Sequence, residues 1–224
     1  MQPYKKEFAK FLVRAEVIQF GDFTLKSGRR SPYYFNSSKF SNGTLIKQLG
    51  YYFASAIQEH VPNCNLIYGP AYKGIPLCIT SAIELSSRLN QNIGYFFNRK
   101  EEKNHGDQGN LVGQSPQKSD FIVMVDDVIS DGLTKIESVK HVRKLFKADF
   151  IGVIIALDRM ETNFQAKDAV KAFQQETGVP VWSIITIREL CDYLKDRPID
   201  GSVAMDDSIC LKIETYLAKY SNRS

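Results

Sequence analysis

Two adjacent carboxylates stand between a hydrophobic run and a small polar loop. Asp126 and Asp127 follow residues 122–125 and precede residues 130–134. Neighbouring side chains of a strand point to opposite faces, so both acids can reach one ligand only where the strand ends and the chain turns. Carboxylates there suit a ribose diol or the hydration shell of Mg²⁺, and loop N–H groups at a helix N-terminus suit a phosphate. The string is typical of a ribose 5-phosphate site; the structural alternative is a turn with a capping Asp.

A second segment, residues 68–76, is punctuated by glycine and proline. Its sequence Tyr-Gly-Pro-Ala-Tyr-Lys-Gly-Ile-Pro follows a predicted strand and opens a predicted helix. Exposed backbone N–H groups together with Lys73 would receive a polyanion. The alternative is an ordinary strand–helix connection with a solvated lysine.

Residues 97–110 form a third segment that is polar, bears glycine and has almost no apolar anchor. This composition predicts a mobile loop that can act as a lid. Arg99, Lys100, Lys103 and His105 are basic side chains that such a lid could close over a polyanion. A solvated charge run is the alternative.

Two further segments place a basic side chain beside aromatic or apolar residues. Residues 23–36 combine the cation Lys26 with the aromatics Tyr34 and Phe35, although such aromatics are more often core. Arg159 ends an apolar run, and its planar guanidinium can hold a carboxylate through two parallel hydrogen bonds. The alternative for Arg159 is a surface residue paired with Asp158.

Taken in order, these five segments resemble the type I phosphoribosyltransferases, and in particular the orotate phosphoribosyltransferase family. The likeness covers nearly the whole chain and includes F-T-L-K-S-G-R-x-S-P-Y, G-P-A-Y-K-G-I-P, R-K-x-x-K-x-H-G, D-D-V-I-S-D-G-L-T and A-L-D-R-x-E. It implies transfer of a phosphoribosyl group to N1 of orotate, giving orotidine monophosphate and pyrophosphate in pyrimidine (UMP) biosynthesis.

The resemblance also assigns roles to single residues. It assigns phosphoribosyl pyrophosphate to Lys26, Tyr72, Lys73, Arg99, Lys100, Lys103, His105, Asp126, Asp127, Val128, Ile129, Ser130, Asp131, Gly132, Leu133 and Thr134. It assigns orotate to Lys26, Tyr34, Phe35, Ser130 and Arg159, and catalysis to Lys100, Lys103, His105, Asp126 and Asp127. Mg²⁺ would be held mainly through the donor, with Asp126 and Asp127 contacting it through water. His105 as an acid toward pyrophosphate is a hypothesis.

The sequence departs from the usual pattern of orotate enzymes in the phosphate loop. Ser130 and Leu133 stand where Thr is common, and Asp131 stands where a small residue such as Ala is usual. A carboxylate repels a phosphate, so no direct phosphate contact by the Asp131 side chain is expected. Tyr34 stands where Phe is commoner.

The elements that must position these residues alternate along the chain. An amphipathic helix through Phe8 and Leu12 is predicted to end near Gly21, followed by a hairpin or irregular hood over 23–35. Strands are predicted at 66–68, 93–97, 121–125, 151–157 and 181–186. Helices are predicted at 45–59, 75–89, 133–146 and 164–176, with a polar stretch over 99–113 and helical segments at the end.

This alternation predicts an α/β fold, a mostly parallel sheet flanked by helices on both faces, with ligands at the carboxyl ends of its strands. The expected organisation is one domain over 1–224, to which residues 1–40 contribute an N-terminal hood. The chain has 224 residues, of which 43% are hydrophobic, so it can bury a core without disulfide or metal staples.

Charge and composition limit the partners. The net charge of +4 is too small to predict nucleic-acid binding by itself. The four cysteines form no C-x-x-C pair, and neither a signal peptide nor an apolar span is evident, so we expect a cytoplasmic protein without a membrane partner. The family's loop reaches a neighbouring subunit, which implies a homodimer that shares residues 99–110.

Two other functions remain open from the sequence. A phosphoribosyltransferase for a different base would keep the donor loop but would need neither Arg159 nor a carboxylated base. A non-catalytic regulator that binds nucleotides or RNA would show a broad basic face and would tolerate loss of the 99–110 loop.

Overall fold

The computed structural model describes residues 1–99, 111–130 and 132–223. Its strands are β1 (Ile18–Thr24), β2 (Arg30–Phe35), β3 (Leu66–Gly69), β4 (Gly94–Asn98), β5 (Leu111–Gly113), β6 (Ile122–Asp126), β7 (Phe150–Asp158), β8 (Val181–Thr186), β9 (Pro198–Ile199) and β10 (Ser202–Val203). Its α-helices are α1 (Pro3–Arg14), α2 (Gly43–His60), α3 (Gly74–Leu89), α4 (Leu133–Phe146), α5 (Ala169–Thr177), α6 (Ile187–Leu194) and α7 (Asp207–Tyr220).

The central sheet has six strands in the order β5-β4-β3-β6-β7-β8. β4, β3, β6, β7 and β8 are parallel, and only β5 at the edge runs antiparallel to its neighbour β4. The carboxyl ends of the parallel strands therefore meet at one edge of the sheet, where this architecture binds ligands. The predicted mostly parallel α/β fold is confirmed.

Alternating residues of the central strands enter two separate cores, which explains their continuously apolar sequences. Leu66, Met124 and Ile155 pack on one face with α4 and α5. Ile67, Val123 and Ile154 pack on the other face with residues of α1, α2, α3, α6 and α7. A strand buried on both faces has no polar alternation, so its ends are the places where polar side chains become available.

The N-terminal helix is shorter than predicted. α1 begins at Pro3, buries Phe8, Phe11 and Leu12, and ends at Arg14 rather than near Gly21. Its continuation fails because Glu16 adopts a positive φ of 52° and the chain then enters β1. β1 and β2 form a separate two-stranded hairpin, as predicted for this region. The single domain and its N-terminal hood stay predictions.

Three other boundaries differ from the sequence prediction. The predicted helix at 164–176 starts only at Ala169, because the Asp168 side chain caps it and Thr162 bridges Asp168 in an antiparallel pair. The predicted polar stretch 99–113 ends in strand β5. A small hairpin, β9–β10, interrupts the predicted helical end. Short strands of two or three residues carry too little periodicity to be recognised in sequence.

Across residues 1–99, 111–130 and 132–223, no helix combines the length and apolarity needed to cross a membrane.

Candidate active site

The two acids lie at the end of β6, and each is held by its own lysine. Asp127 Oδ2 accepts hydrogen bonds from Lys73 Nζ and Ser37 Oγ, both at 2.7 Å. Asp126 Oδ2 lies 2.5 Å from Lys135 Nζ, in the first turn of α4. The remaining oxygens accept backbone N–H groups, Asp126 Oδ1 from Asp127 and Asp127 Oδ1 from Val128, both at 2.8 Å.

These contacts give the two carboxyl groups different acidities. Burial raises the pKa of Asp126 above its ordinary value, although Lys135 opposes the shift. Burial also favours the neutral form of Asp127, but the bonds from Lys73 and Ser37 outweigh it and hold the pKa of Asp127 below its ordinary value. The same pairing raises the pKa of Lys73, despite the partial burial that opposes its charge.

The loop between β3 and α3 folds back tightly on the strand that precedes it. A Cβ atom on Gly69 would lie 2.0 Å from the Gly74 carbonyl oxygen, so a side chain cannot fit there. Asn98, at the end of β4, accepts hydrogen bonds at Oδ1 from the Ala71 backbone N–H at 3.0 Å and from Tyr68 Oη at 2.8 Å. The Ala71–Tyr72 peptide bond is cis. This fixed loop carries Lys73 to Asp127.

The loop between β6 and α4, which the sequence predicts to bind a phosphate, leads directly into α4. Gly132 precedes the helix with a left-handed φ of 75°, a conformation that favours glycine. Ser130 and Thr134 line the cavity beside it, whereas the Ile129 side chain is buried in the core. Any contact of Ile129 with a ligand would therefore use its backbone.

The turn between β1 and β2 lines the same cavity as Ser130 and Thr134. Gly28 adopts a φ of 79° and donates its N–H to the Leu25 carbonyl at 2.9 Å, which closes the turn that carries Lys26. Tyr34 stacks on Phe23 with ring centroids 5.6 Å apart and is 39% exposed. Phe35 belongs both to the core and to the cavity wall.

Arg159 follows β7 and is largely buried, which makes the predicted alternative of a surface residue paired with Asp158 wrong. Its guanidinium lies 2.6 Å from Glu161 Oε1, donates to Ser31 Oγ at 3.3 Å and covers the Tyr33 ring at 4.3 Å. Burial opposes its charge, but Tyr33 and Glu161 raise the pKa of Arg159 further above its ordinary value. Asp158 instead pairs with Arg223.

These separate segments surround two adjoining cavities. The larger, of about 750 Å³, is lined by Lys26, Tyr34, Phe35, Lys73, Asp127, Val128, Ser130, Thr134 and Arg159 among the predicted residues. The smaller, of about 320 Å³, is lined by Tyr72, Lys73, Asp126, Asp127, Ser130, Gly132 and Thr134 among them. The two share Lys73, Asp127, Ser130 and Thr134, so one extended ligand can occupy both.

Other predicted residues do not line either of these two cavities. Arg99 follows β4 directly, and Ile129 and Leu133 also lie outside the residues that line the two cavities. Lys100, Lys103, His105 and Asp131 lie outside the described residues. The predicted roles of all these side chains stay predictions.

The sequence analysis missed four polar residues of the site. Lys135 lines both cavities, Ser37 bonds to Asp127, and Arg29 and Glu161 line the larger cavity. Arg29 and Glu161 occur within the two motifs that singled out Lys26 and Arg159. Lys135 occurs in a helix turn, where a lysine is usually solvated, so its sequence context carries no such signal.

Comparisons with known proteins agree with this geometry. A curated orotate phosphoribosyltransferase of Clostridium botulinum is 35% identical over 221 residues, 98% of this chain and 99% of the relative. One of Methylococcus capsulatus is 44% identical over 195 residues, 87% and 90% of the two chains. The 1.9 Å crystal structure of the Francisella tularensis orotate phosphoribosyltransferase has a TM-score of 0.81 at 30% identity and covers 96% of this chain and 100% of its own. A comparison with models of protein families finds no match.

The sheet order, the acid pair at the end of β6 and the loop that follows it define a type I phosphoribosyltransferase. Identity of 35% or more over nearly the full length with curated relatives narrows this class. The chain belongs to the orotate phosphoribosyltransferase family.

Proposed function

We propose that the protein transfers the phosphoribosyl group of phosphoribosyl pyrophosphate to N1 of orotate, in the de novo synthesis of UMP. The products are orotidine 5′-monophosphate and pyrophosphate. One observation carries this proposal beyond family membership: Lys26, Lys73, Asp127 and Arg159, from four separate segments, line a single cavity. The reaction breaks the bond between ribose C1 and a pyrophosphate oxygen, which keeps the electron pair, and forms a bond between C1 and N1 of orotate.

The donor would extend along both cavities. Ser130, Gly132 and Thr134, beside the N-terminus of α4, suit its 5-phosphate. Asp126 and Asp127 suit the ribose hydroxyls and would oppose positive charge that develops on the ribosyl carbon. Tyr72 and Lys73, on the fixed loop before α3, suit the pyrophosphate. The family resemblance supports the same role for Arg99, Lys100, Lys103 and His105, with His105 as a candidate acid.

Orotate would lie at the other end of the larger cavity. Tyr34 and Phe35 provide aromatic surface beside Lys26, and Ser130 faces the same space. Arg159 supplies a guanidinium for the carboxylate of orotate, a group that uracil, adenine and hypoxanthine lack.

Mg²⁺ fits this site as an ion that arrives with the donor. Within the described residues, no cluster of three or more His, Cys, Asp or Glu side chains could hold a metal. All four oxygens of Asp126 and Asp127 already accept hydrogen bonds or pair with lysine. Contact through water therefore suits these acids, and Mg²⁺ commonly binds one or two carboxylates together with substrate phosphates. When bound, Mg²⁺ would neutralise charge on the pyrophosphate leaving group.

The proposal extends to assembly and location. The resemblance supports a homodimer in which residues 99–110 of one subunit reach the site of the other. The scattered cysteines, which form no metal or redox pattern, suit a reducing cytoplasm.

A base panel tests the activity. Purified protein with phosphoribosyl pyrophosphate and Mg²⁺ should consume orotate and release orotidine monophosphate, while uracil, adenine and hypoxanthine should give little product. Omission of Mg²⁺ with added chelator should suppress turnover. Preference for a base without a carboxylate would replace this proposal with transfer to a different base, and absence of turnover with every base would favour a binding protein.

A further inference from the structure

Arg159 alone does not provide a net positive charge for a carboxylate. Glu161 Oε1 lies 2.6 Å from its guanidinium, and both side chains are largely buried, with 10% and 14% of their surfaces exposed. The pair is therefore close to neutral as a unit. An anionic group that enters from the cavity would gain little from this pair, because Glu161 would repel it as Arg159 attracts it.

A second guanidinium completes the cluster. Arg29, in the turn between β1 and β2, lies 3.5 Å from Glu161 through Nη1 and donates to Thr162 Oγ1 at 3.3 Å through Nη2. It covers the Tyr220 ring at 4.8 Å, just as Arg159 covers Tyr33. Glu161 is thus shared by two arginines, and the three side chains carry a net charge of about +1.

The cluster faces the cavity with free donors. In the part of the chain that the structure describes, the contacts of Arg29 use Nη1 and Nη2, and those of Arg159 use Nε and Nη2. Tyr216 also contacts the Arg159 side chain, whereas Nε of Arg29 takes part in none of these contacts and therefore has capacity for an incoming carboxylate. All three side chains line the larger cavity.

We infer that Arg29 is a specificity-determining residue that supplies the net positive charge for the substrate carboxylate, and that Glu161 is a positioning residue that orients Arg29 and Arg159 together. The inference rests on the proposed function and deepens it at the base end of the site. It differs from the assignment of Arg159 as the sole anchor, because it makes recognition depend on the charge of three residues.

A comparison of two ligands, one with the carboxylate and one without it, measures how strongly the site recognises that group. Orotidine monophosphate and uridine monophosphate differ only in that group, so the ratio of their dissociation constants, measured by titration calorimetry, reports its recognition. Arg29→Met should reduce the preference for orotidine monophosphate by about 10- to 100-fold, the effect of losing a charged hydrogen bond. Binding of uridine monophosphate and the KM for phosphoribosyl pyrophosphate should stay unchanged.

The adjacent Arg30 provides the control. It is exposed, lies outside the residues that line the cavity, and carries the same charge, so Arg30→Met should leave the ratio at the wild-type value. Equal losses in Arg29→Met and Arg30→Met would overturn the inference, since general electrostatics would then explain both.

A double substitution separates charge from structure. Arg29→Met leaves Arg159 neutralised by Glu161, and adding Glu161→Gln restores a net charge of about +1. The double variant should therefore recover part of the preference for orotidine monophosphate, and Arg29→Lys should retain part of it. Loss of the preference in Arg29→Lys as complete as in Arg29→Met, with no recovery in the double variant, would overturn the argument from charge.

Failure of the proposed function is distinguishable from failure of this inference. A wild-type protein that neither converts orotate nor prefers orotidine monophosphate contradicts the function itself. A wild-type protein that does both, with an Arg29→Met variant that keeps the full preference, contradicts only the role of Arg29.

Discussion

Single charged residues decide what the site can bind, and Lys135 is the least expected of them. Its side chain is only 10% exposed, and its Nζ lies 2.5 Å from Asp126, itself almost fully buried. A buried ion pair is costly to break, because the remaining charge has no partner and little water. Lys135 therefore holds Asp126 in place as a carboxylate at the edge of the site.

We expect Lys135→Met to lower the free energy of unfolding by about 3 kcal/mol, as for other buried pairs that lose one partner. Urea denaturation measures the change. Lys140→Met is the matched control in the same helix: its pair with Glu176 is exposed, with 62% and 51% of the side-chain surfaces accessible, so its loss should change the stability far less than Lys135→Met does. Asp126→Asn added to Lys135→Met should recover stability, and a double variant without recovery would contradict the pairing argument.

The elements around the site owe their shape to a few backbone requirements. Gly69 ends β3 where the following loop turns back over it, and Asn98 of the neighbouring strand holds that loop from the side. Lys73 reaches Asp127 only because the loop keeps this position. The loop is therefore defined by Gly69 together with contacts between β3, β4 and the start of α3.

Gly69→Ala should reduce kcat/KM for orotate phosphoribosylation by about 100-fold, because a displacement of about 1 Å at a reacting group has an effect of this size. Its Cβ would lie 2.0 Å from the Gly74 carbonyl oxygen, so the loop must move. Gly43→Ala is the control, since a Cβ there meets nothing within 4 Å in the first turn of α2. Activity of Gly69→Ala equal to that of Gly43→Ala would mean that the loop position does not matter.

The sequence predicted the elements better than the contacts between them. The long apolar strands β6 and β7 and the helix α4 were recognisable because each is continuous and bounded by polar residues. β5, β9 and β10 were not, because two or three residues show no periodicity. The pairing of Arg29 with Glu161 joins positions 132 residues apart, and the pairing of Lys135 with Asp126 depends on how α4 packs on the sheet. The spacing of residues along the sequence therefore predicts neither of these two ion pairs.

At the scale of the whole molecule, the proposed dimer makes a distinct prediction. Lys26 lines the cavity of its own chain, whereas Lys103, which lies outside the described residues, would act in the neighbouring subunit. Lys26→Ala and Lys103→Ala should each be nearly inactive alone. Random mixing of the two should restore about one quarter of wild-type activity, since half of the two-fold dimers would then hold one complete site.

Subunit exchange must be verified by mass spectrometry of differently tagged chains. Verified mixed dimers that remain inactive would exclude sharing of the 99–110 loop between subunits. Recovery without any mixed dimer would point to residual activity in one of the parents.

The C-terminal residues hold the segment that carries Glu161 through hydrogen bonds and ion pairs. Tyr216 Oη donates to Glu161 Oε1 at 2.9 Å across 55 residues of sequence, the Thr162 N–H donates to the Tyr220 carbonyl at 2.7 Å, and Arg223 pairs with Asp158 and Asp168. During translation, β6 and the start of α4 leave the ribosome well before Tyr216, Tyr220 and Arg223. A nascent chain that has just emerged past Glu161 thus has its acid pair, both arginines and Tyr33, but it lacks Tyr216 and Tyr220, which contact Glu161 and Arg29, so the base end of the cavity is completed last.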